Sequence, residues 1–155
     1  MAHIIEKGAD FTVEVFVVFK NKVLLRKHDK YKKWLSVGGH IDVHKKENPN
    51  QAAIREVKEE VGLDIQLVGD PNHTSNIEDY YTIIIPPRFM NQHPINKDHD
   101  HITLVYFARA KTDEIKQSTE EVSEEIRWFT EEELDSPEYG IGPLIKMYAK
   151  AALKN

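Results

Sequence analysis

The chain has 155 residues, 40% hydrophobic and 30% charged, with a formal net charge of -5 and no cysteine. That is the make-up of one globular domain, and it excludes disulfide and thiolate chemistry. No apolar run nears the roughly 20 residues of a membrane span, and "MAHIIEKGADF" lacks the basic and apolar regions of a signal peptide, so a single cytoplasmic domain over residues 1–155 is expected, with no membrane partner.

In chain order, "FTVEVFVVFKNKVLLRKH" alternates and then turns apolar, with a break at Asn21 and Lys22. It predicts a hairpin of strands near 11–19 and 22–27. "WLSVGGHID" follows, where Gly38 and Gly39 suit a sharp turn or a close approach to a ligand. From Pro49 to Val61, Ala53, Ile54, Val57 and Val61 recur at helical spacing, with Asn48 as cap and Gly62 as terminator. "LDIQLVG" reads as a strand. Residues 70–101 read mostly as loop, with a candidate strand at "YYTIII". "HITLVYFARA" and "EIRWFT" are further strands, and "EEELDSP" and "GPLIKMYAKAALKN" are helices. The mixed order implies an α/β or α+β layered domain.

The acidic balance carries no basic stripe of the kind a duplex nucleic-acid partner demands. It suits a site for divalent cations, through which phosphate-bearing substrates bind. Within "REVKEEVGL", Glu56, Glu59 and Glu60 fall in one arc of the helix. Glu56 and Glu60 form an i, i+4 like-charge pair, which costs an isolated helix a few tenths of a kcal/mol, roughly. Hard cations such as Mg²⁺ prefer carboxylate oxygens, so a shared ion is one compensation. The plainer reading is a solvated helix face with Arg55 paired to Glu59.

"REVKEEVGL" resembles the core of the Nudix hydrolase box: Arg-Glu, an aliphatic, any residue, Glu-Glu, any residue, Gly, an aliphatic. Glu47 stands seven intervening residues before Arg55, as that pattern asks. "VLLRKH", Trp34 before "GGHID", "ENPNQAAIREV" and "EEIRWFTEEEL" are similar to the family as well. One departure is the seven residues "HIDVHKK" between Gly39 and Glu47, two more than usual, with Lys46 where a glycine commonly precedes the glutamate.

The resemblance implies an α/β/α sandwich around a mixed sheet and hydrolysis of a nucleoside diphosphate linked to another group. It implies that Glu56, Glu59 and Glu60 hold Mg²⁺ or Mn²⁺, with a carbonyl of Gly38 or Gly39 as a further ligand, and that Arg55 and Glu47 support them. A general base would come from the box or from the late loop, where Glu121 and Glu124 are candidates, with Glu124 preferred. A homodimer is common in the family.

Other side chains leave two readings each. Arg26 binds a phosphate or pairs with a surface acid. Tyr31 and Trp34 stack on a base or seal the core. His40 and His44, or "HDH" at 99–101, admit a zinc site, against which stand the missing cysteines and the loop expected at His40; His99 or His101 is otherwise a substrate contact or a surface residue. The expected substrate is a small nucleotide, leaning to nucleotide sugars or ADP-ribose-like diphosphates. The alternatives are an oxidised nucleoside triphosphate and a nucleotide-sensing protein without hydrolysis, the latter opposed by the intact glutamates.

Overall fold

A computed structural model describes residues 6–69, 80–117, 120 and 123–155. The apolar run in the first strand is its spine. β1 (Gly8–Phe19) lies parallel to β7 (His99–Ala110), in register from Gly8–His99 to Val18–Arg109. Val13 and Val15 to Val18 are buried, as a strand covered on both faces requires.

The opposite edge of β1 is shared. β2 (Lys22–Lys27) meets it only at Val18–Val23 and Phe19–Lys22, whereas β4 (Val37–His40) pairs with it from Thr12–His40 to Val15–Val37. β2 then takes β3 (Trp34–Leu35) on one side and β8 (Glu125–Phe129) on the other. Beyond β7 lie β5 (Ile65–Leu67) and β6 (Phe89–Asn96), completing a mixed sheet of eight strands among the described residues.

Strand alternation divides the core in two. Val13, Val15 and Val17 pack on Ala53, Val57 and Val61 of α1 (Pro49–Val61). Phe16, Val18 and Phe107 pack on Tyr148, Ala149 and Ala152 of α3 (Pro143–Leu153), with Leu134 of α2 (Glu131–Leu134) in the same cluster. The expected α/β/α sandwich is the observed fold. α1 has its expected limits: Asn48 and Gln51 form a capping box, Pro49 opens the first turn, and Gly62 closes the helix at φ 72°.

Two expectations fail. "YYTIII" forms no strand; the strand lies further on, at Phe89–Asn96. The free edge of β7 is already filled by β6 from His99 to Val105 and by β5 from Ala108 to Ala110. Ile85 is instead tied to the Asn50 side chain, its N–H donating to Oδ1 at 2.8 Å and its carbonyl accepting from Nδ2 at 2.9 Å. Gly38 and Gly39 form part of a strand and not a turn, and His40 ends that strand where a loop was expected. Their lack of a side chain serves close approach: a Cβ on Gly38 would stand 2.0 Å from the Val13 carbonyl oxygen.

Candidate active site

The extra residues before Glu47 are taken up by a 3₁₀ turn, Val43–Lys45, capped by the Asp42 side chain. Lys46 ends this turn in the left-handed region at φ 58°, which explains physically why a glycine suits the position. Glu47 is thereby returned to α1. Its Oε1 accepts from Arg55 Nε at 2.6 Å and its Oε2 from Nη2 at 2.9 Å, a two-pronged pair, while the Asp42 N–H donates to Oε2 at 2.8 Å. The hydrogen bond from Arg55 holds the Glu47 carboxyl below its ordinary range, and the guanidinium is held still more firmly charged, chiefly by Glu47.

Arg55 is the hub of the α1 face. Nη2 also donates to the His40 carbonyl at 3.0 Å, which ties the helix to β4. Nη1 donates both to Glu56 Oε1 at 2.8 Å and to Glu59 Oε2 at 3.1 Å. Two of the three predicted carboxylates thus converge on one positive nitrogen. The third is held differently, by an ion pair of 3.0 Å between Glu60 Oε2 and Arg26 Nε.

The three carboxylates are not equivalent, as a single shared arc would make them. Glu56 and Glu60 are 1% and 4% exposed, whereas the Glu59 side chain is 55% exposed. Neighbouring positions 59 and 60 lie about 100° apart around the helix, so Glu60 turns in toward the sheet while Glu59 stays at the rim. Opposite Glu56 stands Gly39, where a Cβ would fall 2.4 Å from Oε1 and 2.7 Å from Oε2. The space beside the carboxylate exists because that residue is glycine. Hard oxygen donors that already gather around a cationic nitrogen, beside backbone with no side chain, fit a divalent ion in place of that positive charge.

The other predicted residues take varied places. Arg26 is committed to Glu60, with Nη1 also reaching Ser123 Oγ at 3.5 Å. Trp34 is buried edge-on against Phe129, ring centroids 4.9 Å apart, in the α3-side core. Tyr31 is exposed and tilted against His28 at 4.7 Å. Glu124 is exposed and paired with Lys32 at 3.2 Å. Glu121 lies outside the described residues.

A cleft of about 350 Å³ runs beside these groups, walled by Glu14, Arg26, Ser36, Gly38, Gly39 and, further along, His40, His93 and His101. Sequence reasoning passed over Glu14. Burial pushes its carboxyl above the ordinary range, against the opposing effect of a hydrogen bond with Ser36. The available signal was a lone charge inside "FTVEVFVVF", placed by alternation on the same face as Thr12 and Phe16. Asp10 was likewise missed; it lies beside His40 and His99 on that face.

Residues 10–150 match the NUDIX domain. No curated protein matches the chain. Among solved structures, a hydrolase of the NUDIX family from Clostridium perfringens is 36% identical, over 94% of this chain and 96% of that one, with a TM-score of 0.83. A MutT NUDIX hydrolase from Burkholderia pseudomallei is 18% identical, over 93% and 98%, with a TM-score of 0.65. A MutT protein from Methanosarcina mazei Go1 is also 18% identical, over 97% and 96%, with a TM-score of 0.64, and at that distance these last two speak for the fold alone.

Proposed function

We propose that this chain, which belongs to the Nudix family of hydrolases acting on phosphoric anhydride bonds, cleaves small nucleoside diphosphates linked to a second group, with nucleotide sugars and ADP-ribose-like compounds as the leading class. Nudix hydrolases use divalent metals; Mg²⁺, replaceable by Mn²⁺, is the ion proposed for Glu56, Glu59 and Glu60.

One observation carries the reading: Glu56 and Glu59 meet at Arg55 Nη1, while Glu47 holds the rest of that guanidinium and Gly39 leaves room beside Glu56. A bound divalent ion supplies charge neutralisation on the diphosphate and a more acidic water. The protein's own work is positional. Arg55 and Glu47 fix the helix against β4 and orient Glu56 and Glu59. Arg26 pairs with Glu60 in the interior and fixes the direction of that carboxylate.

The cleft gives room for the organic part of the substrate, and Tyr31, exposed at its wall, offers a flat surface for a base. For proton removal from the attacking water the candidates are a box glutamate, Glu14 in the cleft wall and Glu124, of which Glu124 is engaged with Lys32. No helix among the described residues is long and apolar enough to cross a membrane; a cytoplasmic homodimer is the setting we propose.

The test is a hydrolysis screen with Mg²⁺ and Mn²⁺ over nucleotide sugars, ADP-ribose, and canonical and oxidised triphosphates, with products separated by chromatography. A nucleoside monophosphate together with a sugar phosphate is expected. Release of inorganic pyrophosphate from a triphosphate would replace the proposed substrate class. Turnover unchanged in Glu59→Gln and Glu60→Gln would overturn the assignment of the metal to α1.

A further inference from the structure

The face of the sheet opposite α1 carries a second group of metal-ligating side chains that the hydrolytic reading does not use. Alternation and register bring it together. On β1, Asp10 and Thr12 share a face, and their partners across the parallel ladder are His101 and Thr103, with His99 two residues before His101. Thr12 is also opposite His40 on β4, and His101 is opposite His93 on β6. Three strands, distant in sequence, thus place Asp10, His40, His99 and His101 on one patch of sheet.

The patch is interior and its atoms converge. Asp10 and His99 are each 2% exposed and His40 is 7% exposed. Asp10 Oδ2 is 3.3 Å from His99 Nε2 and 3.5 Å from His40 Nε2. One ligand atom each from Asp10, His99 and His101 can be chosen so that all three lie within 4.8 Å of one another. The His101 ring stands edge-on to both of the others, with centroids 4.9 Å from His40 and 5.4 Å from His99.

A tetrahedral ion with nitrogen and oxygen ligands at about 2.0–2.1 Å separates those ligands by about 3.3–3.4 Å, and ligand atoms of Asp10, His99 and His101 within 4.8 Å of one another are close to that spacing. The donor set points the same way. Imidazole nitrogens with a single carboxylate suit zinc and its neighbours, whereas Mg²⁺ and Ca²⁺ require oxygen shells.

We propose that Asp10, His99 and His101 form a binding site for one tetrahedral divalent ion of the zinc class, separate from the α1 carboxylates, with His40 beside Asp10 at its edge. Gly39 faces Glu56 and its neighbour His40 faces Asp10, so the two sites lie on opposite sides of β4. Three protein ligands leave the fourth position to a water, and the ion ties β1 to β7 at the floor of the cleft. The hydrogen bond between Thr12 and Thr103, 2.7 Å between hydroxyl oxygens, lies next along the same face toward Glu14.

The test uses the full chain, stripped by a chelator and titrated with Co²⁺ in excess Mg²⁺, reading visible absorption and the thermal midpoint. One equivalent with the strong absorption of tetrahedral cobalt, a raised midpoint, and bleaching by Zn²⁺ are expected. His101→Gln, at a half-buried position, should weaken binding by more than the roughly 10–100-fold typical of an outer-shell change, and Glu59→Gln should leave the absorption in place. Weak octahedral absorption, or binding lost in Glu59→Gln and kept in His101→Gln, would overturn the site. Should His101→Gln fail to fold by circular dichroism, anomalous scattering at the zinc edge from wild-type crystals decides. A peak beside Asp10 Oδ2 supports the site, and a peak only at the α1 carboxylates, or none, refutes it.

Discussion

The two faces of the sheet solve the same electrostatic problem in different ways. On the α1 face every acid named has an arginine: Glu47, Glu56 and Glu59 share Arg55, and Glu60 has Arg26. On the opposite face Asp10 has imidazoles within 3.3 and 3.5 Å, and Glu14 has a hydroxyl from Ser36. Guanidinium is charged at every working pH and directs its donors in a plane, so it holds carboxylates oriented for a hard cation. Imidazole offers a lone pair as readily as a proton and suits a softer ion. Placing the two sets on opposite sides of β4 keeps their chemistries apart.

The contrast breaks most sharply where the α1 carboxylates are neutralised. Glu56→Gln, Glu59→Gln and Glu60→Gln are each expected to lower kcat by about 10²–10⁴-fold in a steady-state assay, the range of a lost acid, base or activating group. Next comes Gly39→Ala, whose new methyl would overlap the Glu56 carboxylate at 2.4 Å and displace it. A loss of metal affinity of about 10–100-fold, read by titrating Mg²⁺ against activity, is expected.

Smaller effects separate the faces by pH. The Glu47 pKa is depressed in the folded chain, so its pairing with Arg55 stabilises above the ordinary carboxylate range and is lost as pH falls through the depressed value. Glu47→Gln should therefore cost about 1–3 kcal/mol in chemical denaturation at pH 7, with the gap to wild type closing in acid. Glu14 is the opposite case. Its pKa is raised by burial, so its contribution is fully present below the ordinary carboxylate range and is lost as pH rises through the raised value. Glu14→Gln should have a higher thermal midpoint than wild type at pH 8, an advantage that disappears in acid. A fall in the midpoint at pH 8 would show that the buried charge is compensated in a way that desolvation does not describe.

The same division governs what could be read before the fold was known. The α1 face comes from one stretch, residues 47–60, where helical spacing, cap residues and the Arg-Glu pattern are all local. The helix limits, the Glu47–Arg55 pair and the family followed from that stretch. Even there, the inward turn of Glu60 and the commitment of Arg26 to it needed the packing of β2 against α1. The opposite face draws on residues 10, 40, 93, 99 and 101; "HDH" at 99–101 is a local pattern, but no spacing along the chain relates it to residues 10, 40 and 93. Their meeting depends on a parallel register between β1 and β7, which the alternating pattern of each strand leaves open. "YYTIII" was misread for a related reason: its β propensity is genuine, but β5 and β6 already occupy the edge it would need.

The central claim is that a divalent ion held by the α1 carboxylates drives anhydride cleavage. Its most direct test compares wild type with Glu59→Gln, both stripped of metal and then supplied with Mg²⁺, on ADP-ribose and a nucleotide sugar, with product formation followed by chromatography. The account predicts turnover that needs added Mg²⁺ in the wild type and falls by about 10²-fold or more in the variant, with the fold intact. Equal turnover by the two proteins, or turnover with all metal removed, would contradict it.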